Sequence, residues 1–197
     1  MKNKIHSVAV FCGSSAGNDP GFYDLAQMVG SALAERKIRT VYGGAKIGLM
    51  GAVADAAIQN LGEVIGVLPE FMSGKEIAHT SLTELILVES MHQRKMKMHE
   101  LSDAAIALPG GFGTMDELFE LLTWLQLGLH ANPIGILNYR GFYNDLDHQV
   151  KKMHHFGFLS DKHLNCLIFE EEVNALIDKM EKWNSPIQKN WLSSGQT

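Results

Sequence analysis

Two basic residues and one glutamate are the residues of this chain whose types and spacing could do chemistry. Arg94 and Lys95 are neighbours in the polar stretch HQRKMKMHE, and Glu117 follows Arg94 by 23 residues. A forked guanidinium beside an ammonium suits the binding of a phosphate or a carboxylate. A carboxylate held nearby could act on such a ligand as a base, or stabilise positive charge that develops during a reaction. A solvated basic face accounts for Arg94 and Lys95 equally well, so a binding site is one of two interpretations.

Glu117 also has a complete structural explanation. The run from Thr114 to Glu117 spells T-x-x-E, the capping box in which threonine and glutamate side chains accept hydrogen bonds from backbone N–H groups at the start of a helix. This pattern predicts a helix from Met115 to about Leu129 with Thr114 as its N-cap. The local sequence therefore favours the cap over a catalytic role for Glu117.

Three turns that contain glycine could hold an anion. They are CGSSAG at 12–17, YGGAKIGLMG at 42–51 and PGGFGT at 109–114, and each follows a short apolar run. In a parallel sheet such turns emerge along the same carboxyl edge, so their N–H groups can converge on one crevice. The N–H groups of Gly110, Gly111 and Gly113, with the helix N-terminus that follows, would suit a phosphate. The alternative is that each glycine only relieves a tight turn.

The same turns exclude two common nucleotide sites. The chain has no GxxxxGK[ST] motif for a nucleoside triphosphate. From Gly111 and Gly113 the third glycine of GxGxxG would fall where Asp116 stands, so the dinucleotide fingerprint fails as well. A small molecule with one phosphate fits better than NAD. No HxxxH or similar set is present, so we predict no metal site and no cofactor.

The elements that must position these residues alternate along the chain. Short apolar runs that predict strands lie near Val8 to Cys12, Thr40 to Tyr42, Val64 to Leu68, Leu85 to Val88, Ala104 to Leu108, Ile134 to Leu137 and Cys166 to Phe169. Helical patterns separate them, as in the apolar stripe of Phe22, Leu25, Ala26, Val29 and Leu33. This alternation predicts an α/β fold: a Rossmann-like, doubly wound parallel sheet with helices on both faces. We expect a single domain over 1–183 and a flexible tail over 184–197.

Composition limits the partners and the compartment. The 197 residues are 46% hydrophobic and carry a formal net charge of −5, which argues against a duplex nucleic-acid partner. No run of about 18 apolar residues predicts a membrane span, so we expect a cytoplasmic protein. Cys12 and Cys166 are far apart without CxxC spacing, which favours reduced, packed thiols.

The predicted helix after Thr114 is apolar around most of its circumference. Its large apolar residues are Leu118, Phe119, Leu121, Leu122, Trp124, Leu125, Leu127 and Leu129. Such a helix is either deeply buried or covered by another subunit. Both readings are open, with dimerisation slightly favoured because an outer helix normally keeps one wet face.

The chain resembles the LOG family, the cytokinin riboside 5′-monophosphate phosphoribohydrolases that were long mislabelled lysine decarboxylases. The likeness rests on PGGFGTMDE with HQRK upstream, and extends from about Val8 to Met180 through FCGSS, YGGAKIGLMG, GVLPEFM, SDAAIALPGG and LTWLQLGLHANPIGILN. It implies cleavage of the N-glycosidic bond of an adenine-type nucleoside 5′-monophosphate, giving free base and ribose 5-phosphate. It also implies a homodimer with sites near the subunit interface.

The resemblance gives roles to individual residues. Arg94 and Glu117 match the catalytic pair. The positions that match substrate-binding residues, or that lie in the glycine turns, are Ser14, Gly43, Gly44, Glu76, Lys95, Gly110, Gly111, Phe112, Gly113, Thr114, Met115, Asp116 and Thr123. One departure is visible: family members often carry three glycines in the second turn, where Ala45 follows the two glycines of this chain. Its methyl group narrows the backbone approach there.

Two other functions compete with this one. The decarboxylase label has little physical support, because no lysine stands in a setting suited to a Schiff base with pyridoxal phosphate. Molybdenum-cofactor carrier proteins resemble the same fold and share a PGGxGT turn, yet hold a phosphate-bearing ligand without turning it over. A carrier needs the cradle but not the spacing of Arg94 and Glu117, so the sequence favours the enzyme.

Overall fold

The computed structural model describes residues 4–73 and 78–187. Seven parallel strands form one sheet at its centre. The strands are β1 (Ser7–Phe11), β2 (Arg39–Tyr42), β3 (Val64–Pro69), β4 (Glu84–Val88), β5 (Ala104–Ala107), β6 (Ile134–Leu137) and β7 (Leu167–Glu170). Each lies within one residue of the run that predicted it. Continuous apolar runs predict such strands well, because a parallel strand in a doubly covered sheet is buried on both faces.

Helices connect the strands. They are α1 (Pro20–Glu35), α2 (Gly48–Gln59), α3 (Glu70–Ser73), α4 (Met91–Glu100), α5 (Phe112–Gln126), α6 (Asn144–His155), α7 (Asp161–Leu164) and α8 (Val173–Lys182). A short 3₁₀ turn, Tyr139–Gly141, precedes α6. In α1 the predicted stripe faces inward, with Leu25, Ala26, Val29 and Leu33 buried.

The strand order places the ligand edge of the sheet. The order is β4-β3-β2-β1-β5-β6-β7, and every neighbouring pair is parallel. The chain therefore winds outward from β1 in one direction and then restarts beside it at β5. A crevice opens at such a reversal, outside the carboxyl ends of the two strands. The turns after β1 and β5 are the first and third glycine turns.

Two cores confirm that helices cover both faces. Along β1, Val8 and Val10 join a core built with α1, α2 and α8, while Ala9 and Phe11 join one built with α4 and α5. This alternation follows from the two-residue period of a strand. The doubly wound α/β prediction is confirmed.

The start of α5 corrects the capping-box prediction. The helix begins at Phe112, three residues before the predicted start, with Gly111 as its N-cap. Thr114 therefore lies inside the first turn, and its buried hydroxyl has no hydrogen-bond partner within the described ranges. The prediction was wrong because the glycines let the chain enter the helix directly after β5, so that Gly111, which has no side chain, occupies the N-cap position. The helix ends at Gln126 with Leu127 as its C-cap, followed by Gly128 with φ of 72°.

Three further predictions concern membrane spans, the two cysteines and the C-terminal tail. No helix within residues 4–73 and 78–187 is long and apolar enough to cross a membrane. Cys12 and Cys166 are both buried free cysteines. The predicted tail lies outside the described residues from 188 onward; before that point, Ile187 packs against the core of α4 and α5.

Candidate active site

Helices α4 and α5 bring Arg94 and Glu117 together. Ser90 caps α4 by accepting a hydrogen bond from the backbone N–H of Gln93. Arg94 lies in the first turn of this helix, and its Nη2 donates a hydrogen bond to Oε1 of Glu117 over 2.9 Å. The carboxylate is thus engaged by a side chain from another helix, and not by a backbone N–H of its own.

The pair is almost removed from solvent. The side chains of Arg94 and Glu117 are 12% and 9% exposed. Burial disfavours the charged carboxylate and raises the pKa of Glu117 to about 7, although the positive charge of Arg94 acts to lower it. A carboxyl group with a pKa near neutrality suits proton transfer at physiological pH.

Gly43 makes room for the guanidinium. A Cβ at that position would lie 2.5 Å from Nη2 of Arg94, closer than real side chains approach. Arg94 Nε is buried and has no hydrogen-bond partner in the described part of the chain. The second glycine turn thus packs against the guanidinium of Arg94 and leaves space for it.

The pair lines a cavity of about 290 Å³ at the carboxyl edge of the sheet. Its lining comes from all three glycine turns and from α3, α4 and α5: Cys12, Gly13, Ser14, Met50, Met72, Met91, Arg94, Gly111, Phe112, Gly113, Thr114, Asp116 and Glu117. We call this space the Glu117 cavity. Its volume suits part of a small ligand, such as a nucleoside.

A second space of about 280 Å³ adjoins the Glu117 cavity. Gly13, Ser14 and Gly111 line both, while Gly110, Phe22 and Phe142 line only the second. Nothing lies within 4 Å of the place where a Cβ would stand on Gly111 or Gly113, so these residues present bare backbone. The first N–H groups of a helix lack partners within the helix, which leaves those of α5 free for an anion. We call this part of the site the glycine cradle.

Hydrogen bonds join the first glycine turn to both of the others. Gly13 N–H donates to the carbonyl of Pro109 over 3.1 Å, and Leu49 N–H donates to the carbonyl of Gly13 over 3.0 Å. A Cβ on Gly110 would lie 2.9 Å from the nitrogen of Gly13, so the two turns pack too closely for a side chain. Close packing therefore explains the glycine at position 110, whereas an anion-binding role for Gly111 and Gly113 stays a prediction.

The predicted site residues fall into three groups. Ser14, Gly110, Gly111, Phe112, Gly113, Thr114 and Asp116 line the Glu117 cavity or the cradle. Gly43 lies behind Arg94, and Gly44, with φ of 74°, packs near Leu68 and Leu85. Met115 and Thr123 lie in an open groove on the outer side of α5. Glu76 lies outside the described residues.

Lys95 forms ion pairs with two carboxylates of α5, and its role in substrate binding stays a prediction. Its ammonium contacts Asp116 over 3.2 Å and Glu120 over 3.0 Å, and it does not line the Glu117 cavity. Burial opposes its charge, but hydrogen bonds to Glu120 and Asp116 outweigh this and raise its pKa. Schiff-base chemistry needs a neutral amine, so Lys95 has the opposite tuning from a lysine that would bind pyridoxal phosphate.

Sequence reasoning missed several residues of the cavity wall. Met50, Met72 and Met91 line it from three different helices, and Cys12 lies where β1 ends. Burial, followed by the charge of Glu117, raises the pKa of the Cys12 thiol well above its usual range. Only Met91 had a usable signal, since it precedes Arg94 by three residues and so shares its helix face.

The outer groove on α5 is lined by large apolar side chains together with two carboxylates and a threonine. Its volume is about 590 Å³, and its lining residues are Phe112, Met115, Asp116, Phe119, Glu120, Thr123 and Trp124. Phe112 is 95% exposed, and Phe119 and Leu127 are each 37% exposed. The inner face of α5 is buried through Leu118, Leu121 and Leu125, so the helix belongs to the core on this side, and cover by another subunit stays a prediction for the outer side.

Comparison with known proteins gives the family. A family model described as "Possible lysine decarboxylase" matches residues 50–180. A cytokinin riboside 5′-monophosphate phosphoribohydrolase of Arabidopsis thaliana is 42% identical over 183 residues, which cover 93% of this chain and 86% of the relative. A probable enzyme of the same name from Oryza sativa subsp. japonica is 41% identical over 182 residues, covering 92% of this chain and 80% of the relative.

Solved structures agree on the fold. The Moco carrier protein from Chlamydomonas reinhardtii matches with a TM-score of 0.67 and 18% identity, over 92% of this chain and 97% of that protein. At this identity the likeness concerns the fold alone. The identities above 40% over most of the chain are the stronger finding, and they agree with the motifs PGGFGTMDE and HQRK: the chain belongs to the LOG family.

Proposed function

We propose that the protein is a nucleoside 5′-monophosphate phosphoribohydrolase. It would hydrolyse the N-glycosidic bond of an adenine-type substrate, AMP or a cytokinin riboside 5′-monophosphate, to free base and ribose 5-phosphate. The observation that carries this proposal is the buried Arg94–Glu117 pair, 2.9 Å apart, in a cavity that opens onto a cradle of backbone N–H groups. The curated relatives that carry this activity in their names support it.

The two adjoining spaces suit the two ends of such a substrate. The free N–H groups at the start of α5 would hold the 5′-phosphate, since a helix N-terminus stabilises negative charge. The ribose would then lie towards Glu117, which follows Gly113 by one helical turn. The base would extend along the apolar wall that includes Met50, Met72 and Met91.

Hydrolysis at this site balances with one water molecule. The bond between C1′ of the ribose and the base nitrogen breaks, and its electron pair leaves with the base, which gains a proton. The ribosyl group acquires oxocarbenium character, and water attacks C1′ and loses a proton. Ionised Glu117 would stabilise the positive sugar and accept the proton of the water.

Arg94 would hold Glu117 in position. Its guanidinium acts to lower the pKa of Glu117, which burial raises, and so favours the ionised carboxylate that the reaction needs. The same hydrogen bond fixes the direction of the carboxylate, and the absence of a side chain at Gly43 leaves the space that the guanidinium occupies. Orientation of this kind contributes much of the rate of an enzyme.

Two finer features belong to the same proposal. The exposed apolar side of α5 would pair with a second copy to form a homodimer, because an uncovered patch of this kind is a typical interface. The protein would act in the cytoplasm, where its two buried free cysteines stay reduced.

The test is to incubate the purified protein with AMP and, separately, with isopentenyladenosine monophosphate, and to measure free base by chromatography. We expect base from at least one substrate, and a loss of about 100-fold or more in the Glu117→Gln variant. The exposed Glu35 provides a matched control, since Glu35→Gln makes the same change far from the cavity and should keep full activity.

The outcomes separate the enzyme from a carrier. Release of base that stops with Glu117→Gln but not with Glu35→Gln supports the enzyme. Binding of either nucleotide without release of base would overturn the proposal and favour the carrier. Equal activity in wild type and Glu117→Gln would mean that the variant folds and that Glu117 takes no part in the chemistry.

A further inference from the structure

We propose that Phe142, with Phe22 beside it, is a specificity-determining residue that restricts the site to ligands with a single phosphate. The two rings close the glycine cradle with an uncharged wall, against which a second phosphate would have no counter-charge. This assignment rests on the proposed function, because it concerns the phosphate end of the same substrate. The size, lining and charge of the cradle carry it.

The glycine cradle has more room than one phosphate needs. Its volume of about 280 Å³ is close to the lower limit for a site that takes a whole small ligand. A 5′-phosphate at the N-terminus of α5 would occupy the side that includes Gly111, which also lines the Glu117 cavity. Space alone would therefore admit a second phosphate on the far side of the cradle, away from the Glu117 cavity.

The far side of the cradle has no cationic side chain among the residues that the structure describes. The residues that line the cradle alone are Ser15, Ala16, Gly17, Phe22, Leu49, Pro109, Gly110 and Phe142. Arg140, which lies on the same loop as Phe142, is paired with Asp19, and its guanidinium carbon lies 5.2 Å from the centre of the Tyr139 ring. A charged group that moves from water against an apolar wall without a partner loses free energy of hydration that nothing replaces.

The aromatic wall is anchored to the turn that would hold the first phosphate. The rings of Phe22 and Phe142 meet edge to face, with their centroids 5.8 Å apart. Phe142 also packs edge to face on Tyr143, whose buried hydroxyl donates to the carbonyl of Leu108 over 2.6 Å. Leu108 directly precedes the third glycine turn. The wall therefore keeps its place relative to the backbone N–H groups of that turn.

The positive end of α5 can serve one phosphate group and not two. A helix N-terminus carries about half an elementary positive charge, and its effect fades within the first turn. The β-phosphate of a nucleoside diphosphate would lie beyond that turn, against Phe22 and Phe142. On the far side, the N–H of Gly17 already donates to Oγ of Ser15. The site should therefore use AMP far better than ADP, although the two share the same base and ribose.

The experiment compares the wild type with Phe142→Arg, Phe142→Lys and Phe142→Leu, and with Phe156→Arg as a matched control. Phe156 is 65% exposed and lines neither the cradle nor the Glu117 cavity. For each protein, kcat/KM for adenine release would be measured with AMP and with ADP freed of AMP, without divalent cations, and expressed as the ratio of ADP to AMP. Partial unfolding lowers both values equally and leaves this ratio unchanged.

We expect the wild type to prefer AMP by about 100-fold or more, because the second phosphate stays unpaired. Phe142→Arg or Phe142→Lys should raise the ratio by about tenfold or more, since either supplies the missing cation. Phe142→Leu stays apolar, so its ratio should lie within about threefold of the wild type, as should that of Phe156→Arg.

Other results would overturn the assignment. A wild type that uses AMP and ADP equally, or an unchanged ratio in both cationic variants, would mean that the wall does not discriminate by charge. A rise in Phe142→Leu as large as in Phe142→Arg would make space the limit, and an equal rise in Phe156→Arg would make the effect a general one of surface charge. If the wild type releases no base, the proposed function fails separately; calorimetric binding of AMP and ADP then gives the same ratio, and equal affinities refute the wall.

Discussion

At the scale of single residues, Glu117 is the group for which chemistry and stability have opposite requirements. Its pKa of about 7 in the fold stands above the ordinary value of 4.5, chiefly because it is buried. Between these two pH values the folded chain holds a proton that the unfolded chain has released. The folded state is therefore stabilised at low pH relative to high pH, and this contribution is lost as the pH rises through 7.

This relation predicts how Glu117→Gln affects stability. Glutamine stays neutral, so the variant avoids the cost of a buried charge at high pH. The free energy of unfolding of the variant minus that of the wild type should increase between pH 4.5 and pH 8, by at most about 3 kcal/mol from a shift of this size. Urea unfolding at both pH values, at one fixed protein concentration, measures the difference.

The exposed Glu35 again provides the matched control. Glu35→Gln removes a carboxylate from the surface of α1, so the same difference should change little with pH. A difference for Glu117→Gln that stays constant from pH 4.5 to pH 8 would contradict a raised pKa of Glu117. It would also remove the physical basis for its role as a base near neutral pH.

At the scale of elements, the turn after β2 positions Arg94 by leaving space for it. A Cβ on Gly43 would overlap the end of the guanidinium, whereas the neighbouring Ala45 is buried and forms an isolated bridge with Ala78. The methyl group of Ala45 therefore lies in the wall of the turn and outside the lining of the Glu117 cavity. Loss of the family's third glycine is thus compatible with the site.

We expect Gly43→Ala to damage catalysis more than folding. The new methyl group would push the flexible end of Arg94 away from Glu117, and a displacement of about 1 Å can cost on the order of 100-fold in rate. The fold should survive, because a guanidinium moves more easily than backbone. Ala45→Gly is the matched variant: it should keep kcat within threefold and destabilise the chain by about 1 kcal/mol or less.

Turnover of AMP and thermal unfolding of both variants measure these effects. Full activity in Gly43→Ala would show that Arg94 tolerates displacement, and would weaken its assignment as the group that orients Glu117. A large loss of activity in Ala45→Gly would instead place the whole turn in contact with the substrate.

The elements also show which features the sequence could predict. All seven strands were predictable as apolar runs between turns. Burial on both faces explains this for the central strands, whereas the edge strand β4 is apolar but only partly buried. The start of α5 was not, since Thr114 and Glu117 match a capping box while the preceding glycines set a start at Phe112. Similarly, the contacts of Lys95 with Asp116 and Glu120 depend on how α4 packs against α5, which no local pattern encodes.

At the scale of the whole molecule, the outer side of α5 raises the question of what covers it. Phe112 and Phe119 are exposed there, and Thr123 lies beside them in the groove. Thr123 follows Glu117 by six residues, about 9 Å along the helix, and lies outside the Glu117 cavity of its own chain. A role in substrate binding, as the family resemblance implies, would therefore fit the site of a second copy.

Mixing two inactive variants tests this arrangement. We expect a mass of twice 21.8 kDa for the wild type by sedimentation, and low activity for both Glu117→Gln and Thr123→Val. In a mixed dimer, the Thr123→Val chain supplies an intact Glu117 and the Glu117→Gln chain supplies an intact Thr123, so one complete site forms. Random exchange of subunits should then restore about a quarter of wild-type activity per site, because half of the dimers are mixed.

The mixing result depends on which chain each residue serves. If Thr123 acts within its own chain, every site in a mixed dimer carries one defect and no activity returns. Full activity of Thr123→Val alone would remove Thr123 from any site, and a monomeric mass would rule out sharing altogether. Recovery near one quarter would mean that the apolar side of α5 is both an interface and a wall of the partner's active site, so that assembly and catalysis depend on the same helix.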